Sequence, residues 1–152
     1  MDLFAYINRN SRYSSIIHND RCIESECEAK LRIRKGYIKI KADEIKRKPG
    51  TKMCDFIIFI RKPHKRFSIP EIELKSGILG KDDIDPILDK FENGVKLIKE
   101  IIDGCDTQLD QCDIIKQLFV NMNEIDSPSA YRTWTRRYEI RLKRCGDMVD
   151  VS

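Results

Sequence analysis

The chain has 152 residues, 36% of them charged and 41% apolar, and a formal net charge of +4. This length suits one domain with a real core, and so large an apolar share excludes an intrinsically disordered chain. No run of about 18 or more apolar residues occurs, so no membrane partner is expected. Met1-Asp2-Leu3-Phe4 lacks the basic-then-apolar order of a secretory signal, which makes a cytoplasmic location the expectation.

Leu3, Phe4, Ile7, Ile16 and Ile17 recur over residues 2–17 with weak helical spacing. A second helix is predicted from Asn19 or Asp20, either of them a competent cap, to about Arg32, with Ile23, Cys27 and Leu31 as its apolar side. Gly36 ends it, and Tyr37-Ile38-Lys39-Ile40-Lys41 alternates as a half-buried strand does. Residues 43–52 read as a basic loop closed by Pro49-Gly50. Two strands follow, Cys54-Asp55-Phe56-Ile57-Ile58-Phe59-Ile60 and Ile69-Pro70-Glu71-Ile72-Glu73-Leu74-Lys75, and Pro70 marks the second as an edge strand or its own starting point. Asp85 as cap, Pro86 at the first helical position and Gly104 past the end delimit a long helix, in which Gly94 permits close packing on a sheet. Another strand lies within residues 114–122. Ser127-Pro128 opens a last helix carried by Tyr131, Trp134, Tyr138 and Leu142; residues 138–142 also alternate as a strand would, and helix is the reading adopted. Three consecutive strands, a helix and a further strand imply an α/β sandwich around a mixed central sheet.

The six cysteines, at 22, 27, 54, 105, 112 and 145, form no CxxC pair, so reduced, mostly buried thiols are expected, with a looser metal site or disulfides at Cys22/Cys27 and Cys105/Cys112 as the alternative. His18 and His64 are read as solvated loop residues.

The chemistry lies on the two central strands. Successive strand side chains point to opposite faces, so Glu71, Glu73 and Lys75 share one face while Ile72 and Leu74 share the other. Asp55 opens the preceding, greasier strand. Carboxylates this close to a core need a reason to be there, and a divalent ion is one. Asp55 and Glu73 are the predicted ligands of Mg2+ (or Mn2+), with the Leu74 carbonyl as a third. Lys75 is placed to orient or help deprotonate an attacking water and to offset charge in the transition state. Glu24 or Glu28 is expected to complete the shell. An acid two residues before a lysine is weak by itself, since about two or three such triplets arise by chance at this composition. Glu28-Ala29-Lys30, Glu44-Ile45-Lys46 and Glu73-Leu74-Lys75 all qualify, and only the last lies on an apolar strand behind another that opens with Asp. The competing reading makes Glu71, Glu73 and Lys75 the solvated face of an amphipathic strand. Glu71 could be an acid standing behind the metal ligands, but a solvent-facing strand residue is the reading adopted.

In these residues the chain resembles the PD-(D/E)xK nuclease superfamily, which includes type II restriction enzymes and archaeal Holliday-junction resolvases. The resemblance spans about residues 20–122 and implies a restriction-endonuclease-like core of a three-stranded meander, a helix and a further strand. It places the motif aspartate on Asp55, the (D/E)xK on Glu73-Leu74-Lys75 and the N-terminal helix acid on Glu24, with Glu28 second. Cys54 stands where the motif has proline. The activity implied is Mg2+-dependent endonucleolytic cleavage.

Positive charge clusters in Lys46-Arg47-Lys48 with Lys52, in the segment holding Arg61, Lys62, Lys65 and Arg66, and from Arg136-Arg137 to Arg144. Such groups grip phosphates without reading sequence, so nucleic acid, DNA ahead of RNA, is the expected partner. Tyr131, Trp134 and Tyr138 are read first as core or dimer-interface residues and second as base-stacking groups. Cutting both strands of a duplex needs two active clefts, which makes a homodimer the expectation. The alternative function is a nucleic-acid-binding or protein-interaction module on the same fold without turnover.

Overall fold

The structure, a computed structural model, describes residues 1–34 and 36–152. Helices α1 (Leu3–Arg9) and α2 (Ser11–Ser14) come first. A two-stranded hairpin follows, β1 (Cys22–Glu24) and β2 (Cys27–Ala29). The main sheet comprises β3 (Tyr37–Ile40), β4 (Phe56–Lys62), β5 (Arg66–Lys75), β6 (Cys112–Val120) and β7 (Ile140–Arg144), in that spatial order. β3, β4 and β5 form an antiparallel meander, while β5, β6 and β7 run parallel through crossovers that contain α3 (Ile84–Asp103) and α4 (Pro128–Arg137). The α/β architecture with a mixed central sheet is therefore as expected.

Each face of the sheet has its own cover. Ile57, Phe59, Phe67 and Ile69 pack under α1 and the C-terminal half of α3, and Leu118 and Val120 under α3 and α4. Phe56, Ile58, Ile60, Ile72 and Leu74 face the other way, beneath Cys22, Cys27 and Ala29 of the hairpin and Val149 of the C-terminal tail. That tail is pinned by paired bonds between Gln117 and the Asp150 backbone, at 2.7 Å each.

Five sequence expectations change. The helix over 19–32 is the β1–β2 hairpin: Ser25 adopts φ 53°, the chain reverses so that Glu24 pairs with Cys27, and Ile23, expected inside, is exposed. Apolar residues at 23, 27 and 31 happen to fit a helix, but the sheet face of Phe56, Ile58 and Ile72 needs a flat cover, and the alternating burial of Cys27 and Ala29 provides it. Pro70 lies within β5, between β4 and β6, and not on an edge. The β4–β5 pairing passes from Ile57↔Glu71 to Ile60↔Ser68, so the proline falls where that ladder is interrupted. Residues 140–144 are strand, because Glu139 at φ 55° stops α4 and the free edge of β6 accepts Ile140 opposite Lys116. Cys27 and Cys145 form a disulfide, while Cys22, Cys54, Cys105 and Cys112 are free thiols. His18 is half-buried against Phe56, their rings 5.5 Å apart.

Two further readings are met. Tyr131 and Trp134 are core residues, whereas Tyr138, read with them, is exposed. Gly94 is where α3 meets the sheet: a Cβ there would lie 1.7 Å from Glu71 Oε1. Among the described residues no helix is long and apolar enough to cross a membrane.

Candidate active site

The amino end of β4 and the carboxyl ends of β5, β6 and β7 meet along one margin of the sheet. Ligands of open α/β sheets bind beyond the carboxyl ends of parallel strands, and this chain gathers its acids there. Asp55 immediately precedes β4. The β4–β5 register, continued one step from Phe56↔Ile72, sets it opposite Glu73 and on the same face. Asp55 is 6% exposed and Glu73 0%. The Leu74 N–H donates to Asp55 Oδ2 at 2.8 Å, so the visible contribution of Leu74 is its amide rather than its expected carbonyl.

Two further carboxylates close around Asp55. The hairpin turn carries Glu24 to the end of the sheet, and a single 3-10 turn after β3, Ala42–Glu44, carries Asp43 there. That turn is fastened to the start of β4 by the Ala42 N–H donating to the Asp55 carbonyl at 3.0 Å. One oxygen each from Glu24, Asp43 and Asp55 lie within 4.8 Å of one another. Glu28, the other acid considered, pairs with Arg21 instead.

Lysines meet the same acids. Lys90 of α3 donates to Glu73 Oε2 at 2.6 Å, and Lys75 Nζ is 3.5 Å from the same oxygen. Burial pushes Asp55 up to about 8, the negative charge of Glu73 adds to this, and the Leu74 amide opposes it. Asp43 is likewise raised, first by burial, with Lys41 opposing and Glu24 adding. Burial works against the charge of Lys90, but the Glu73 carboxylate outweighs it and raises the lysine.

A divalent ion fits this donor set. Asp43 Oδ1 and Glu73 Oε1 are buried without any hydrogen-bond partner, and buried polar atoms are normally satisfied. Every converging atom is a carboxylate oxygen, the preference of hard cations such as Mg2+ and Mn2+. Cys54, the thiol next to Asp55 in the chain, is raised well above its ordinary value by burial and approaches Glu71, 3.6 Å away.

The structure thus brings Asp55, Glu73, Lys75 and Glu24 to one end of the sheet, with Glu24 on a hairpin rather than the expected helix. Glu71, read as facing solvent, is fully buried between β5 and α3. Asp43 escaped the sequence reading because residues 43–52 read as a basic loop; its only signal was an acid two residues beyond a clean strand. Lys90 lies on the long helix, and its sequence spacing gives no sign that it is the partner of Glu73.

The Arg61–Arg66 segment lies at the opposite end of the sheet. β4 spans its seven residues between Asp55 and that turn, about 20 Å at ordinary strand rise. Arg61 there pairs with Asp2 and stacks on Phe4, Arg66 pairs with Asp113, and Lys62 and Lys65 flank the turn. These four do not border the acids. Arg136 and Arg137 end α4, also away from the acid margin.

No family model matches the chain, and neither a curated protein nor a solved structure matches it.

Proposed function

We propose that this chain is a divalent-metal-dependent nuclease that hydrolyses phosphodiester bonds, DNA in preference to RNA, in the manner of the PD-(D/E)xK enzymes it resembles. One observation carries the reading: Glu24, Asp43 and Asp55 present oxygens within 4.8 Å of one another at the end of a sheet whose next strand offers Glu73 and Lys75. A solvated strand face, the competing reading, does not bury Glu73 completely.

Asp55, Asp43 and Glu24 would hold the ion, with Glu73 beside them. Bound there, a divalent cation supplies charge neutralisation on the scissile phosphate and a lowered pKa for an attacking water. The chain's own residues do the rest. Lys75, partly exposed at the strand end, stands where it can orient a water and donate to a phosphate oxygen. Lys90 holds Glu73 in place by a short ion pair. The Leu74 amide orients Asp55 and leaves its second oxygen for other partners. Burial raises the Asp55 carboxyl to about 8, so it is largely protonated at neutral pH and would release that proton on holding the ion.

The test is cleavage of supercoiled, linear and branched DNA and of RNA, with Mg2+, Mn2+ or EDTA, by the wild type and by Asp55→Ala, Glu73→Ala and Lys75→Ala. Loss of at least 100-fold in rate with each variant, and complete loss in EDTA, is expected. Cleavage that survives EDTA or all three substitutions would refute the mechanism. Salt-sensitive binding with no cleavage of any substrate would favour a binding-only module.

A further inference from the structure

The C-terminal sixth of the chain carries most of its net charge. Residues 128–152 hold six Lys and Arg against three Asp and Glu, so three of the four net positive charges reside there. They are not scattered. β7 is the outer strand of the sheet, and α4 packs along it. Between them runs a trough of ≈ 520 Å³, whose walls include five cations, Arg132, Arg136, Arg141, Lys143 and Arg144, against two acids, Asp147 and Asp150; the Asp147 carboxylate is turned to the Arg144 backbone N–H, 2.9 Å away. A second hollow of ≈ 350 Å³ shares Met122 and Arg144 with it and continues past Asn121 to Cys145.

Two kinds of cation line this path. Edge strands commonly carry charge to discourage unwanted pairing, and Arg141 and Lys143 fit that role. Both point to the tail side and are neutralised by Asp150, at 3.0 and 2.7 Å. Arg132, Arg136 and Arg144 differ. All three are exposed, and among the described residues none takes part in an ion pair. Arg132 and Arg136 are one turn apart on the same side of α4, about 6 Å along its axis. In the parallel register Arg144 pairs with Val120 and Val120 with Lys75, so Arg144 and Lys75 share a sheet face two strands apart. Cys145 Sγ lies 3.7 Å from the Lys75 carbonyl, which closes the path onto the acid margin.

We infer that this trough is the track for a nucleic-acid strand: Arg136, Arg132 and Arg144 hold successive phosphates and lead the backbone to Lys75. Charge selects the occupant. Three guanidiniums without an ion-pair partner, in a trough where cations outnumber acids, suit a row of phosphodiesters, because each fork can bind two phosphate oxygens, whereas an apolar partner would leave them buried without counter-charge. The track rests on the nuclease reading for its direction but not for its existence. It also moves the contact surface from the Arg61–Arg66 turn, where both arginines already have acidic partners, to the β7 edge of the sheet.

The test is anisotropy of a labelled oligonucleotide, single- and double-stranded, DNA and RNA, bound to the full chain in EDTA over roughly 50–200 mM salt. Arg132→Ala/Arg144→Ala should weaken binding about tenfold or more. It should also lower the slope of log K against log salt by about 1.4–1.8, the share of two lost phosphate contacts. Arg9→Ala/Arg34→Ala, which removes the same charge elsewhere on the surface, should leave the slope unchanged. An unchanged slope for the first pair, an equal loss with Lys62→Ala/Lys65→Ala, or no binding of any oligonucleotide would each overturn the track; capture of an acidic protein in its place would indicate a protein-docking face. Circular dichroism of each variant confirms that it folds. Binding that follows the track while no substrate is cleaved would refute the nuclease reading alone.

Discussion

Lys90 Nζ lies 2.6 Å from Glu73 Oε2, so a helix lysine already supplies positive charge to the acid that the second central strand contributes. Glu73 is fully buried, and Lys75 is its only other cation among the described ion pairs. Removing one member of such a pair leaves a charge in low dielectric. Lys90→Met should therefore destabilise the metal-free protein by about 1–3 kcal/mol, discounted because the lysine is partly solvated. Mn2+ should restore more stability to this variant than it adds to the wild type, since it replaces the missing cation. Urea unfolding with and without Mn2+ checks both, and an equal Mn2+ increment in the two proteins would argue against a shared site.

The acid cluster predicts a hierarchy of metal affinity. Asp43→Asn and Asp55→Asn each replace one of three converging carboxylates by a neutral amide and should weaken Mn2+ binding more than tenfold. Glu28→Gln, whose carboxylate is engaged by Arg21, should not change it. Calorimetric titration with Mn2+ distinguishes them. Equal effects of all three would mean that the affinity reflects overall charge and not a site.

The pH dependence has a definite sign. Burial raises Asp55 from 3.8 to about 8 and Glu71 from 4.5 to about 8. Between those limits the native state keeps protons that the unfolded chain has released, so each group favours folding at low pH and loses that contribution as pH rises through about 8. The metal-free protein should lose stability from about pH 5 to about pH 8, and Asp55→Asn and Glu71→Gln should each flatten the slope. Stabilisation by Mn2+ should grow over the same range, because the ion displaces the Asp55 proton. Thermal unfolding across pH reads both trends, and a slope that neither substitution alters would contradict the assignment.

Gly94 is required by contact. A Cβ at this position would collide with Glu71 Oε1 and Cδ and press on Cys54 Sγ. Gly94→Ala should cost about 1–3 kcal/mol by overpacking, despite alanine's better helix propensity. Gly94→Ala combined with Glu71→Ala should recover much of that loss, and a double-mutant cycle from denaturant unfolding measures the coupling. Strict additivity would rule out the contact.

The Cys27–Cys145 disulfide ties the Glu24 hairpin to the residue that follows β7, across 118 positions of sequence. Closing so long a loop restricts the unfolded chain and is worth about 4–5 kcal/mol in the chain-entropy account. Cys145→Ser should lower stability by a comparable amount. It should also weaken Mn2+ binding, because the hairpin that positions Glu24 is then held only by packing and by strand-like bonds such as the Lys30 N–H to the Asp147 carbonyl at 2.9 Å. Unchanged Mn2+ affinity in a folded variant would show that Glu24 does not depend on this tie.

Local pattern alone determined the central part of the molecule. Alternation over residues 37–41 and the two apolar runs specify the meander, because the period of side chains along a strand is fixed by the backbone. Pro86, by its fixed φ, falls in the first turn of α3, which begins at Ile84 with Asp83 as cap, two residues before the expected start, and Gly104 stands just past its end; strand parity puts Glu73 and Lys75 on one face. Tertiary structure decided the rest, wherever a residue's role depends on what covers it. Ile23, Cys27 and Leu31 fit a helix in one dimension, yet the uncovered sheet face selected a hairpin; residues 138–142 fit helix and strand alike until the open edge of β6 selected strand. Glu71 and Glu73 are alternate residues on one strand, but only α3 determines that one is sealed against Gly94 and the other meets Lys90. Asp43, in a segment read as a basic loop, became part of the acid cluster because the end of β3 and the start of β4 are hydrogen-bonded into one margin. Proximity between distant residues is a property of the packed chain, and the candidate site consists almost entirely of such proximities.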